Sequence, residues 1–196
     1  MNLLCDTYPE ALTIDGAKVP IRSDFKRSLR VLRAFADKRL TDRDRVYILL
    51  RQIYGDLPAN LNEAMEKASW FIRGGKELGK ESPGDGKQLY SFDKDDRLIF
   101  SAFLQTHGVN LRTAKLHWWE FLALFADLGA ETGFSQIVHL RYLVKNNLAT
   151  NDDMARAEQL GDAFRLDDTP ETAALNAEEA ANVNDFWREW NKDKVN

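Results

Sequence analysis

The residue types that most often carry out chemistry are sparse in this chain. It has three histidines, His107, His117 and His139, and none stands in an HExxH motif or a similar metal-binding spacing. Convergence of the three on a metal is therefore not favoured, and His117, beside Trp118, is better explained as a helix-surface or core-edge residue. Glu120 lies three residues after His117, within reach on a helix, so this imidazole could titrate near neutral pH if the two were buried together.

Other candidate motifs also favour structural roles. Asp93, Asp95 and Asp96 lack the glycine and distal glutamate of an EF-hand loop, and acids in a first helical turn stabilise the helix dipole. The segment GGKELGK lacks the GxxxxGK[ST] pattern of a phosphate-binding loop. Cys5 is the single cysteine, which excludes an internal disulfide and a cysteine-based zinc site. The sequence therefore predicts no catalytic residue, metal or cofactor, and a protein that is not an enzyme.

Length and composition predict one domain with an additional tail. The chain has 196 residues, 44% of them hydrophobic, which is enough for one core. A net charge of -4 gives no reason to expect nucleic acid or an anionic membrane as a partner. No signal peptide is recognisable, and no apolar run approaches the roughly 20 residues that span a bilayer. We therefore expect a soluble protein in the cytoplasm where it is made.

The periodicity of apolar residues predicts a mainly α fold of the α or α+β class. It begins with a β-hairpin around the turn pair Asp15-Gly16, in which Pro20 marks an edge strand. Helices follow, with apolar residues three and four apart. The first three are predicted to be capped by Ser23 or Asp24, by Thr41 and by Asn60 or Asn62, and the next three to start at Ser91 or Asp93, at Thr113 and at residues 133–135.

Two changes in composition divide the chain. Residues 74–89 are rich in glycine and charge and are predicted to form a loop within a helical domain of residues 1–150. Residues 151–196 carry twelve acidic and five basic residues, a net charge of -7, so the preceding domain carries +3. This composition predicts a partly disordered acidic arm.

The end of the acidic arm carries an apolar patch at helical spacing. Val183, Phe186, Trp187 and Trp190 would lie on one side of a charged terminal helix. Such a helix either folds back on the body of the protein or docks its apolar face in a partner's groove.

The most distinctive stretch is LHWWEFLALF at residues 116–125, which is apolar on most sides of a helix and therefore predicted to be buried. Trp118 and Trp119 would point about 100° apart on that helix. One is expected in the core, and the other at a second contact, with another helix of the same chain or with another subunit. Because tryptophan is enriched in interface hot spots, the pair favours a binding protein over an enzyme.

A basic helix leaves a different class of function open. Lys26, Arg27, Arg30 and Arg33 lie on one predicted helix, and a capped second helix follows, as in a helix-turn-helix protein. A solvated helix face, or a surface for the acidic arm, explains the same residues. Nucleic-acid binding is therefore kept as an alternative.

Several of these features resemble a family of tailed-phage proteins known as gene product fifteen, after their position in siphophage tail gene clusters. The resemblance covers roughly residues 8–145. It depends on YSFD at 90–93, on LHWWEF at 116–121 with ALF at 123–125, and on the opening hairpin followed by Ser23-Asp24-Phe25. The tryptophan pair is its most specific part, and the Gly-rich loop and acidic arm lie outside it.

The resemblance implies a tail assembly chaperone in the host cytoplasm. Such a protein would coat the tape-measure protein until major tail (tube) protein subunits replace it, and self-association along the guest would add avidity. We expect the partner-binding residues to be Trp118, Trp119, Phe186, Trp187 and Trp190. The alternatives are a connector or tail component that stays in the virion, and a nucleic-acid-binding regulator.

Overall fold

The computed structural model describes residues 5–76 and 88–166, and it confirms the predicted mainly helical fold with an N-terminal hairpin. Within these residues the chain forms one two-stranded antiparallel sheet, seven α-helices and a short 3-10 helix at Gly161–Ala163. The elements are β1 (Ala11–Ile14), β2 (Ala17–Pro20), α1 (Phe25–Ala36), α2 (Asp42–Ile53), α3 (Leu61–Ile72), α4 (Asp96–His107), α5 (Trp118–Ala126), α6 (Gly133–Lys145) and α7 (Asn151–Leu160).

The first three helices begin at capping residues that the sequence indicates. The Asp24 side chain accepts from the backbone N–H of Lys26, and that of Asn60 accepts from Glu63. Thr41 and Asp44 form a reciprocal capping box at the start of α2. Each cap provides an acceptor for a backbone donor that has no partner inside its helix.

Two predicted helix starts are wrong. Helix α4 does not start at Ser91 or Asp93 but follows the buried Asp95, whose carbonyl accepts the first helical hydrogen bond. Helix α5 does not follow Thr113 but begins five residues later, at Trp118, after the extended residue His117. A long-range contact, described next, keeps the residues before α5 out of the helix.

A short β-bridge fixes where α5 begins. The N–H of Phe25 donates to the carbonyl of Leu116 at 3.2 Å, and the N–H of Trp118 donates to the carbonyl of Ser23 at 2.7 Å. Both segments must be extended to pair in this way, so α5 cannot begin before Trp118. The same bridge places the starts of α1 and α5 side by side.

The hairpin is attached to α3 through its turn. Asp15 and Gly16 both have positive φ angles, as in the tight turns that match strand twist. The Asp15 N–H donates to Glu63 at 2.7 Å, and its carboxylate accepts from Asn60 at 2.7 Å. These two bonds place the turn beside the first residues of α3.

The chain divides into two compact units. Of the described residues, unit 1 comprises 5–76 and 92–136, and unit 2 comprises 88–91 and 137–166. The interior of unit 1 contains a stack of phenylalanine rings. Phe121 stacks on Phe25 and on Phe103, with centroids 5.0 Å apart in each case, and all three rings are fully buried.

In unit 2 the acidic arm predicted at 151–196 begins with a regular helix. Thr150 and Asp153 form a capping box at the start of α7. The guanidinium of Arg141, which is 1% exposed, lies beside the segment that follows α7. It donates to the carbonyls of Phe164 at 2.8 Å, Ala163 at 2.8 Å and Leu89 at 3.1 Å. One planar fork of donors thus binds two separate stretches of backbone to α6.

We predict that Arg141→Lys destabilises unit 2 by about 1–3 kcal/mol, because the three N–H groups of an ammonium diverge from one nitrogen and cannot reach all three carbonyls that the guanidinium spans. Hydrogen exchange of the α7 amides measures the free energy of opening. Tyr142→Phe, a change at the exposed neighbour, is the control and should alter this energy by less than about 0.5 kcal/mol. Equal effects of the two changes would contradict this role for Arg141.

Candidate functional site

The tandem tryptophans lie in the interior of unit 1. Trp118 is 1% exposed and Trp119 is 4% exposed, so neither presents a surface to solvent. Within residues 116–125 the prediction of burial is confirmed for Trp118, Trp119 and Phe121, whereas Ala123 is exposed and the other residues are partly exposed. The expected division of the pair into one core residue and one residue at a second contact is wrong, because both tryptophans are buried and both contact α3 of the same chain.

Both indoles donate hydrogen bonds to the end of α3. Trp119 Nε1 lies 2.8 Å from the carbonyl oxygen of Phe71, and Trp118 Nε1 lies 2.9 Å from that of Ile72. Carbonyls in the last turn of a helix have no partner inside the helix and need one from elsewhere. Two side chains pointing about 100° apart on α5 reach two successive carbonyls, because these also point in different directions around α3.

Ring contacts enclose the same hydrogen bonds. Trp118 stacks on Phe121 with centroids 5.5 Å apart, and Trp119 stacks on Phe71 at 5.9 Å. The edge of Trp70 contacts Trp119 at 5.2 Å. Aromatic pairs in such arrangements contribute roughly 0.5–1.5 kcal/mol each beyond the area that they bury.

At Gly75 the backbone passes close to the Trp119 indole as the chain leaves α3. Its φ of +81° favours glycine, and a Cβ at this position would lie 2.8 Å from the indole. Gly75 belongs to the Gly-rich loop predicted at 74–89, and nothing in that prediction connects it with a tryptophan 44 residues later. That long-range packing had no local signal.

His117 caps α5 with its imidazole. Its Nδ1 accepts from the N–H of Trp119 at 3.0 Å, and its Nε2 donates to the carbonyl of Pro9 at 3.1 Å. The Tyr8 ring stacks on the imidazole at 4.6 Å. These partners require a neutral ring with its proton on Nε2, because a backbone N–H cannot accept and a carbonyl cannot donate. The role of His117 in the described structure is therefore to join the N-terminal segment to α5.

A cleft of ≈ 1270 Å³ opens beside His117 in unit 1. Four carboxylates and two lysines line it, so its charge is mixed with an acidic excess. No group of three or more histidine, cysteine, aspartate or glutamate side chains within residues 5–76 and 88–166 is arranged to hold a metal ion. The carboxylates and lysines that line the cleft are Asp6, Glu10, Lys18, Asp24, Lys115 and Glu120.

The basic helix considered for nucleic acid is partly engaged within unit 1. The Lys26 ammonium donates to the carbonyl of Arg112 at 2.9 Å and lies 5.5 Å from the centroid of the Phe25 ring. Arg33 pairs with Asp93. Arg30 is exposed. Two of the four basic residues of α1 therefore already have partners in the folded chain.

The other predicted contact residues, Phe186, Trp187 and Trp190, lie outside the described residues, so their role stays a prediction. The same holds for Trp118 and Trp119 as partner contacts, although as folded they have almost no free area to offer. No helix within the described ranges combines the length and apolar character needed to cross a membrane.

These features define a small helical protein whose most distinctive residues form an internal contact. A family model described as bacteriophage Gp15 protein matches residues 4–166, and the chain therefore belongs to this family of bacteriophage proteins. The match confirms the family that the tryptophan motif indicated, and it extends 21 residues beyond residue 145. Searches of curated proteins and of solved structures find no significant match to the chain.

We predict that Trp118→Phe lowers the free energy of unfolding by about 1–3 kcal/mol, since it leaves the Ile72 carbonyl of α3 without a donor. Trp119→Phe should cost less, because the Phe71 carbonyl still accepts from the N–H of Gly74 at 3.0 Å. Urea denaturation followed by circular dichroism measures the change. Trp70→Phe keeps an aromatic edge beside Trp119 and is the control, with a smaller expected loss. If all three changes cost the same, ring packing rather than the indole hydrogen bonds stabilises this contact.

We also predict that stability depends on pH through His117. Burial lowers the pKa of His117 below its usual value of 6.5, and this effect outweighs the opposing effects of the Pro9 carbonyl, Glu10 and Glu120. The folded chain thus binds fewer protons than the unfolded chain at mildly acidic pH. The free energy of unfolding should therefore fall as the pH drops through the usual histidine range and level off below the folded pKa.

His117→Asn provides the matched comparison, because asparagine can cap the helix without titrating. Urea unfolding at about pH 7.5 and about pH 5.5 should show a larger pH-dependent loss for the natural chain than for this variant. Identical pH dependence of the two proteins would assign the effect to other groups.

Proposed function

We propose that the chain is a tail assembly chaperone, a non-enzymatic binding protein of phage tail morphogenesis. The observation that carries the proposal is membership of the bacteriophage Gp15 family over residues 4–166. A chaperone of this kind would bind the tape-measure protein, the tail-tube protein or both, and would act in the host cytoplasm before the tail is complete.

The distribution of exposed apolar side chains favours a binding role for unit 2. Tyr142, Leu148, Met154 and Leu160 are exposed there, and Leu148 is the most exposed of them at 59%. Apolar side chains at such positions can anchor a helical guest while polar neighbours keep the contact reversible.

The segment beyond the family match, residues 167–196, also has a composition suited to binding. Residues 167–196 contain eight acidic and three basic residues and the apolar patch of Phe186, Trp187 and Trp190. An acidic segment with aromatic anchors is suited to recruiting a partner, and because it lies outside the family match it is suited to a partner that differs between phages. We propose that it recruits tube subunits or drives self-association along the guest.

A virion connector or tail component is the second candidate, and family membership supports it equally. The two differ in fate, because a chaperone leaves the tail before maturation and a connector stays. A nucleic-acid-binding regulator is a weaker third candidate, since Lys26 and Arg33 of the basic helix are engaged inside unit 1.

Co-expression with the tape-measure protein of the same phage tests the proposal. We expect a soluble complex with many copies of this chain per guest, measured by size-exclusion chromatography with light scattering. Mass spectrometry of purified virions should find the chain absent. A chain retained in virions, with no complex in the co-expression, would replace the chaperone by a structural component.

Variants of the terminal segment separate guest binding from recruitment. The triple change Phe186→Ala, Trp187→Ala, Trp190→Ala should reduce tube recruitment or self-association about tenfold or more while the body stays folded. The double change Glu178→Gln, Glu179→Gln alters charge in the same segment without removing aromatic area and is the matched control. An unfolded body in the triple variant would show instead that the patch is part of the fold.

A further inference from the structure

We propose that the free edge of β1 and the adjoining face of α3 form a binding groove for an extended peptide segment of another protein. The inference is independent of the proposed function. All residues involved lie in unit 1. They are held in place by the two hydrogen bonds that join Asp15 to Asn60 and Glu63 at the other end of the same helix.

The register of the hairpin identifies which backbone groups point outward. Ala11 pairs with Pro20, and Thr13 pairs with Lys18. The next pair outward joins residues 10 and 21, and there the N–H of Ile21 donates to the carbonyl of Glu10 at 2.9 Å. Hydrogen-bonded pairs alternate with non-bonded pairs in an antiparallel ladder, so Ala11 and Thr13 occupy non-bonded positions. Their N–H and C=O groups therefore point away from β2.

No hydrogen bond within the described residues joins the backbone of Ala11 or Thr13 to a group outside the hairpin. The opposite edge is different, because β2 presents Pro20, which has no N–H, and the exposed Lys18. Proline and lysine are the residues by which proteins protect sheet edges from pairing. β1 carries neither, so within this hairpin only the β1 edge is open to another strand.

A groove of ≈ 500 Å³ runs along the β1 edge. It touches the consecutive residues Ala11, Leu12 and Thr13. Side chains of successive strand residues point to opposite faces, so a groove that touches all three follows the edge of the strand rather than one face. The volume is within the roughly 300–1,000 Å³ typical of ligand pockets.

The second wall of the groove is one stripe of α3 continued by Arg73, the C-cap residue that follows the helix. Glu66, Lys67, Trp70 and Arg73 line it at helical spacing. Trp70 is half-buried and forms a T-shaped contact with Trp119, which fixes the ring where it lines the groove. An edge strand beside a helix is the arrangement in which other peptide-binding domains add an extended ligand as a further strand.

The charge of the groove wall indicates which side chains the bound peptide should have. Within the described residues, neither Lys67 nor Arg73 takes part in an ion pair. With Glu66 beside them the α3 wall has a net charge of +1. The fitting ligand is an extended segment with an apolar side chain over Trp70 and an acidic side chain beside Lys67 and Arg73. A second copy of this chain fits less well, because pairing two β1 edges would bring two such basic walls together.

The test is an NMR titration of the full chain with the capped hexapeptide Val-Thr-Val-Thr-Val-Asp. We expect amide shift changes concentrated at Ala11 and Thr13. The same peptide with N-methylated backbone groups should not bind, because it cannot pair with the strand. Replacing the terminal Asp of the peptide by Lys should weaken binding to the natural chain, and Lys67→Glu should reverse that preference.

Thr13→Pro and Lys18→Pro are the matched variants, since they occupy the two sides of one non-bonded pair and each removes one outward N–H. Thr13→Pro should weaken binding about tenfold or more, and Lys18→Pro should leave it within about twofold. Circular dichroism and urea unfolding confirm that both are folded.

Four results would overturn the proposal. These are no shift change at about 1 mM peptide, equal binding of the methylated peptide, equal loss in both proline variants, or concentration-dependent broadening of Ala11 and Thr13 without peptide. The last of these would assign the edge to a second copy of the chain.

Discussion

Two indole N–H groups that donate to the last carbonyls of α3 are the contact on which the rest of unit 1 depends. They join α5 to a helix more than 40 residues earlier in the chain. The exit of the chain past Trp119 requires Gly75, and the start of α5 requires the bridge to Ser23 and the His117 cap. The turn of the hairpin is hydrogen-bonded to the start of α3, and α5 is hydrogen-bonded to its end. Helix α3 therefore links the hairpin to α5.

The sequence was sufficient to predict what is decided locally. The hairpin at Asp15-Gly16 and the caps at Asp24, Thr41 and Asn60 depend on residues within a few positions of one another. The start of α5 could not be predicted in this way, because a β-bridge formed across the fold keeps Leu116 and His117 extended.

The tryptophans and Arg141 show the same division between local and long-range information. Burial of the pair follows from the apolar character of its helix, but the partners of the two indoles are on α3 and have no local signal. Arg141 is buried against the carbonyls of residues 89, 163 and 164, and a lone arginine in a sequence does not indicate such acceptors. The proposed peptide groove could not be predicted from the sequence either, since the open edge of β1 is defined by the register of the hairpin and not by a motif.

Our central claim is that the most distinctive motif of this phage family member holds the fold together and that partners bind elsewhere. NMR of the indole N–H groups, with and without the tape-measure protein, tests it most directly. We expect slow exchange for Trp118 and Trp119 in the free protein and unchanged signals on binding, with changes confined to other tryptophans. Fast exchange of either indole in the free protein, or a direct shift of either on binding, would contradict it.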